Sequence, residues 1–177
     1  MRTFLYGIVF TVAALVAAAL AGILGGVLPA GADVKPSPLE RWAAKVSLRV
    51  TIARESKGYA DPLQPTDANL IAGIRLYGQN CAVCHGTSDA KASLLARGLS
   101  IKAPLLAKDG VEDDPEGETF WKLEHGIRFS AMPSFAKTLS SDDRWRLTLF
   151  LRHMDHLSPA AQAQWKALPS AAATPAA

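Results

Sequence analysis

The chain has 177 residues, 49% hydrophobic and 20% charged, with a formal net charge of +3; that length suits one domain of ordinary size with segments to spare and is short for two. The 19 Lys and Arg against 16 Asp and Glu form no dense basic run, which speaks against nucleic acid as a partner. Only two cysteines are present, Cys81 and Cys84, and a bridge between them closes too small a loop to staple a fold, so a disulfide framework is excluded.

Much of the hydrophobic share sits at the N-terminus. After Arg2 no charged side chain occurs until Asp33, and Phe4 to Leu28 is dominated by Leu, Val, Ile, Ala and Phe. About twenty such residues span a bilayer, whereas the apolar core of a signal peptide is about 7 to 15 residues long. Ala30, Gly31 and Ala32 nevertheless have the small-residue spacing of a cleavage site. Residues 1–32 therefore read as a membrane anchor or a signal peptide. Either way the remainder is exported: held on the periplasmic, extracytoplasmic side of the membrane, or soluble in the periplasm after cleavage. Arg2 on one flank favours an N-terminus left inside.

Residues 33–65 hold Pro36, Pro38, Pro62 and Pro65 and read as a linker or stalk. Within them Leu39, Trp42, Val46 and Val50 share a helical spacing, while Ser47 to Ile52 also alternate as a strand would. Thr66 with Asp67 then opens a clearer helix, a hydroxyl at the cap and an acid in the first turn. Leu70, Gly73, Ile74 and Tyr77 share its face, and a glycine there suggests that another helix crosses closely.

That helix runs into Cys81-Ala82-Val83-Cys84-His85. In C-x-x-C-H two thiols are spaced to add to the two vinyl groups of one haem, and the next imidazole can reach the iron. A thioredoxin-like pair would want a βαβ setting, and a zinc site a second ligand pair, for which His125, His153 and His156 are the histidines left. The motif thus implies one haem c, covalent through Cys81 and Cys84, with His85 as a metal ligand.

Further on, the acidic run Asp109, Glu112, Asp113, Asp114, Glu116 and Glu118 lacks a calcium-loop pattern and reads as a solvated loop. Met132 is the leading candidate for the opposite face of the iron: it lies between Gly126 and Pro133, where an irregular loop can lay a thioether against haem. The alternative is that Met132 fills a gap in the core. His125 is too near the start of that loop to be preferred, and His153 and His156, near a helix C-terminus, suit surface roles. Trp121, Trp145 and Tyr77 as donors, and Arg97 or Arg128 as cations, could meet haem propionates, though aromatics at helical spacing more often form core. A last clear helix begins at Ser140 or Ser141, with Asp142 and Asp143 in its first turn and Leu147, Phe150, Leu151 and Met154 on one face. Residues 158–177 read as an Ala/Pro-rich tail, partly helical or disordered and without chemistry.

These residues together resemble the class I c-type cytochromes of the small monohaem, membrane-anchored or periplasmic type. The resemblance rests on the helix entering CAVCHG, APLL at Ala103 to Leu106, FWKLEHGI at Phe120 to Ile127, AMPSF at Ala131 to Phe135 and LSSDDRWRLTLFLRHM at Leu139 to Met154, and covers roughly residues 67–157. It implies an all-α class I cytochrome c fold around one covalent haem, preceded by an N-terminal transmembrane helix or signal segment, with a cytochrome domain over 66–157. It also implies that the first and last helices cross, Gly73 and Tyr77 meeting Phe150, and that the carbonyl of a proline, here matched by Pro104, accepts the proton of the axial histidine's other nitrogen. The function it implies is single-electron transfer between redox partner proteins, with His85 and Met132 as axial ligands and no catalytic residue. Two alternatives stand beside it: a haem enzyme or sensor whose open sixth site takes peroxide, carbon monoxide or nitric oxide, and a tethered cytochrome subunit of a dehydrogenase or oxidase.

Overall fold

A computed structural model describes residues 2–27 and 29–172. Met1, Leu28 and residues 173–177, the end of the expected tail among them, lie outside the described residues. Among those described, regular structure is helical throughout: eight α-helices, one short 3-10 turn and no strand. The chain divides into two compact units, Met1–Lys35 and Pro36–Ala177.

In the first unit the uninterrupted apolar run forms α1, Arg2–Leu24, with no buried residue. Its end is closed by backbone bonds from Gly26 to Ile23 (3.1 Å) and from Val27 to Gly22 (2.9 Å), the paired pattern that satisfies the last carbonyls of a helix. It is long and apolar enough to cross a membrane, a property shared with leader sequences.

The second unit begins with α2, Pro38–Glu55, started by a capping box: Glu40 N–H donates to Ser37 Oγ (3.2 Å) and Ser37 N–H to the Glu40 carboxylate (2.6 Å). The competing strand pattern at Ser47 to Ile52 loses to this cap and to a proline at the first helical position. The 3-10 turn Ser56–Gly58 follows. Then come α3 (Asp67–Asn80), α4 (Ala82–His85), α5 (Leu94–Gly98), α6 (Glu116–His125), α7 (Ser141–Arg152) and α8 (Pro159–Lys166). Thr66, Ser93, Ser140 and Ser158 cap α3, α5, α7 and α8 through their hydroxyls.

The centre of the unit is the crossing of α3 and α7. At Gly73 a Cβ would collide with the Arg146 carbonyl and lie 2.9 Å from Phe150 Cβ, so only glycine lets the two backbones come this close. Ile74, Tyr77, Leu147 and Phe150 are fully buried there. Tyr77 and Phe150 meet edge to face at 5.5 Å, and Trp165 of α8 completes a triangle at 5.3 Å from Tyr77 and 5.2 Å from Phe150.

The packing carries the domain past the expected limits of 66 and 157. Residues 158–172 are not a loose tail: Trp165 is only 4% exposed and Ala161 is fully buried, while Ser158 Oγ donates to Asp67 on α3 (2.6 Å). Nor is 33–65 simply a stalk, because Ile52 and Ser56 are buried and α2 packs on α6. In both segments a few apolar side chains, set in an otherwise polar or Ala-rich stretch, find partners far away in sequence.

Candidate functional site

The C-x-x-C-H motif forms the turn between α3 and α5. Cys84 and His85 N–H both donate to the Cys81 carbonyl, at 3.0 and 2.9 Å, and Gly86 N–H donates to Ala82 (2.9 Å). Two consecutive helical segments sharing Cys81 as a cap thus present both sulfurs and the imidazole from one tight piece of backbone. Tyr77 anchors this piece to the core, its hydroxyl donating to the Gly86 carbonyl at 2.8 Å. Ser93, the cap of α5, closes it from the other side by donating to the Val83 carbonyl (2.5 Å).

Nδ1 of His85 lies 2.9 Å from the Pro104 carbonyl oxygen. A carbonyl can only accept, so the proton sits on Nδ1 and the lone pair of Nε2 is left for a metal. Leu106 N–H donates to the His85 carbonyl (3.3 Å), holding the Pro104 segment alongside. Burial lowers the affinity of the ring for a second proton, against an opposing pull from the Pro104 carbonyl. Burial, and secondarily Cys84, pushes the Cys81 thiol up to about 12, so burial favours the uncharged form of both the Cys81 thiol and the His85 ring.

Met132 lies in the loop between α6 and α7, half-buried against the hydrophobic cluster that also contains Cys81. The loop is internally tied: Ile127 N–H donates to the Met132 carbonyl (3.1 Å), Met132 N–H to Ser130 Oγ (3.1 Å), and Ser130 Oγ to the Ile127 carbonyl (2.7 Å). Gly126 starts it at φ +69°, where a Cβ would lie 2.6 Å from the Pro133 carbonyl carbon, so a side chain there meets both strain and collision. Phe129 is held at φ 61° with its ring 88% exposed.

One positioning residue escaped the sequence reading. Arg144, a charged residue 7% exposed on α7, donates to the carbonyls of Leu139 (2.5 Å) and Ala136 (3.4 Å) and to the Glu124 carboxylate (3.2 Å). It fastens both ends of the Met132 loop to the core. With Ser140, Asp143 and Thr148 as close neighbours along the helix, nothing in the sequence set it apart from a surface position.

The remaining residues considered from sequence are otherwise engaged. Tyr77 is committed to Gly86, Trp121 Nε1 donates to Glu55 (3.1 Å), and Trp145 stacks on Phe120 at 3.9 Å. Arg128 lies over Phe129 at 5.0 Å. His125 stacks beside Trp121 (4.8 Å), His153 Nδ1 meets the Leu149 carbonyl (2.8 Å), and His156 pairs with Asp155 (3.0 Å) at the surface. In the acidic run Asp114 pairs with Lys122 (2.7 Å) and Glu116 with Arg152 (3.1 Å). Among the described residues no group of three His, Cys, Asp or Glu side chains is placed to hold a metal.

The donor set fits a c-type haem: two thiols and a neutral imidazole with a free Nε2. Large apolar side chains also stand exposed around the motif, Val83 within it and Leu94 and Leu95 on α5, which packs on α4, as an apolar macrocycle requires of the surface that receives it. Residues 68–151 match the family model described as cytochrome C oxidase, cbb3-type, subunit III. No curated protein and no solved structure matches the chain. A domain of this family implies covalently bound haem c and haem-based electron transfer. With the helical fold, the C-x-x-C-H turn and this match on the same residues, the chain carries a class I c-type cytochrome domain.

Proposed function

We propose that the chain is a membrane-tethered electron carrier. Cys81 and Cys84 would hold one haem by adding their thiols across its vinyl groups, His85 through Nε2 and Met132 through its thioether would be the axial ligands, and α1 would keep the domain on the extracytoplasmic side of a membrane. The haem supplies reversible uptake of a single electron. Pro104 fixes the tautomer and orientation of His85, the Arg144–Glu124 clamp holds the Met132 loop, and the packed core excludes water. No substrate has to bind and no residue has to move a proton, so redox partner proteins need only meet an exposed haem edge.

The observation that carries this reading is the 2.9 Å contact between His85 Nδ1 and the Pro104 carbonyl within the C-x-x-C-H turn, since it leaves Nε2 as the ring's only open coordinating atom. Intact mass of the native protein tests it, with the mass of one haem added to the chain expected and a mass with none overturning it. In Met132→Ala the haem should remain attached while the low-spin His/Met spectrum is lost and the ferrous form binds carbon monoxide rapidly. An unchanged spectrum and potential would remove Met132 from the ligand set.

A second reading, a cytochrome subunit that never leaves an oxidase, is favoured by the description of the matching family as an oxidase subunit. Purification from native membranes separates the two. A stable complex with a terminal oxidase supports the subunit, and a lone cytochrome supports the carrier.

A further inference from the structure

The face of α2 turned away from the rest of its unit is apolar and uncovered. Leu39, Trp42, Val46 and Val50, spaced by three, four and four residues, are 71%, 63%, 41% and 58% exposed. Only the C-terminal end of α2 is held by the unit: Ile52 and, just beyond the helix, Ser56 are buried, the helix packs on α6, and Glu55 accepts from Trp121, while residues 38–47 are exposed on every side. A helix held by its domain at one end, with an apolar stripe open to water along its length, calls for a second apolar phase.

Three observations identify that phase as a lipid surface. The stripe is bordered by cations, Arg49 next to Trp42 and Val46 on one side and Arg54 next to Val50 on the other, with Arg41 and Lys45 further round, against Glu40 and Glu55. Indole at the stripe with Lys and Arg along its borders is the composition that settles at the boundary between acyl chains and headgroups, where anionic lipids add attraction for the cations. The helix is self-sufficient, its start closed by the Ser37–Glu40 box and its end by Ser56 N–H donating to Ile52, so it needs no protein partner to form. Finally, the 13 residues from Gly25 to Ser37 are all that separate it from α1, a tether of about 45 Å at full extension.

We propose that α2 is a membrane-surface helix: Leu39, Trp42, Val46 and Val50 enter the interface of a bilayer containing anionic lipid, while Ile52, Glu55 and Ser56 at its C-terminal end join it to the cytochrome domain. The proposal deepens the tethered-carrier reading and rests on α1 remaining in the bilayer. The domain is then fixed in height and tilt at the membrane instead of swinging on a loose stalk, and its encounters with membrane-bound partners are confined to two dimensions.

The test uses the full-length haem-loaded protein in nanodiscs of phosphatidylcholine and phosphatidylglycerol without other protein. A nitroxide is placed by Val46→Cys on the stripe or by Ala44→Cys on the exposed polar side, Cys81 and Cys84 being occupied by haem. The ratio of collision with oxygen to collision with a water-soluble nickel chelate should be several-fold higher at position 46 than at position 44, and should fall toward the value at 44 when Val50→Glu is added. Equal ratios in a protein that stays with the disc overturn the surface helix and leave the anchor standing. A chain that lacks its first 32 residues by mass, or that elutes apart from the discs, overturns both. Protection of position 46 in native membranes but not in these discs assigns the stripe to a protein and overturns the lipid assignment.

Discussion

The two segments proposed to face the haem are held in different ways. The turn bearing His85 is oriented largely by main-chain groups: the Cys81 carbonyl beneath it, the Pro104 carbonyl on its ring and the Leu106 amide on its own carbonyl. The loop bearing Met132 leans on side chains from beyond it, chiefly Arg144 and Glu124, and on the absence of one at Gly126. Main-chain contacts survive substitution and side-chain contacts do not. Apart from Tyr77 and Ser93, whose hydroxyls tie the turn to its surroundings, the histidine side should therefore be robust to point mutation, and the methionine side fragile.

Arg144→Met strikes the fragile side hardest. It removes the donors to Leu139 and Ala136 and leaves the Glu124 carboxylate partly buried without its cation, at a cost of about 3 kcal/mol. Chemical denaturation should show that loss, and hydrogen exchange should rise in residues 126–139 well before residues 81–106. Uniform loosening of both segments would contradict the asymmetry.

Acid should reveal the same asymmetry more gently. Arg54, and after it Trp121, hold the Glu55 carboxyl below the ordinary carboxylate range. A lowered folded-state value contributes stability that is present above the unfolded value of about 4.3 and is lost as pH falls through the folded one. Below about pH 4 the bond to Trp121 should open, and protection of α6 and the loop it feeds should drop while the turn at His85 holds. Glu55→Gln should flatten that dependence. Because the carboxylate is exposed, added salt should weaken it as well.

The smallest effect is expected at Pro104→Ala. Alanine keeps the carbonyl that His85 uses, so the spectrum and the midpoint potential should stay put, and only the loss of a fixed φ should register, at about 0.5–1 kcal/mol. A changed spectrum or a shifted midpoint potential would mean that the ring of Pro104, not its carbonyl, positions the histidine.

Local chemistry was legible in the sequence, and long-range partnership was not. Thr66 before Asp67, and Ser140 before Asp142 and Asp143, mark α3 and α7 because a cap and its first-turn acids are neighbours in the chain. Gly73 announced a close crossing because a glycine on a buried face has little other use. The Ser37–Glu40 box was equally local and readable, yet four prolines around it drew the segment toward a stalk. Trp165 had no such signal: a single aromatic in an Ala-rich stretch gives no periodicity, and its partners Tyr77 and Phe150 belong to other helices. Arg144 went unnoticed because its acceptors lie on a loop and on α6, out of reach of any local pattern.

The aromatic triangle also governs when the domain can close. Its third member, Trp165, lies 80 residues beyond His85, so without α8 the crossing of α3 and α7 leaves one side of Tyr77 and Phe150 bare. Until α8 docks, the core that holds the cysteine turn through Tyr77 is open on that side. The last helix therefore closes the core behind the cysteine turn: Trp165 backs Tyr77, and Tyr77 holds the turn at Gly86, so the segment least suggestive of chemistry in the sequence supports the chemistry-bearing one.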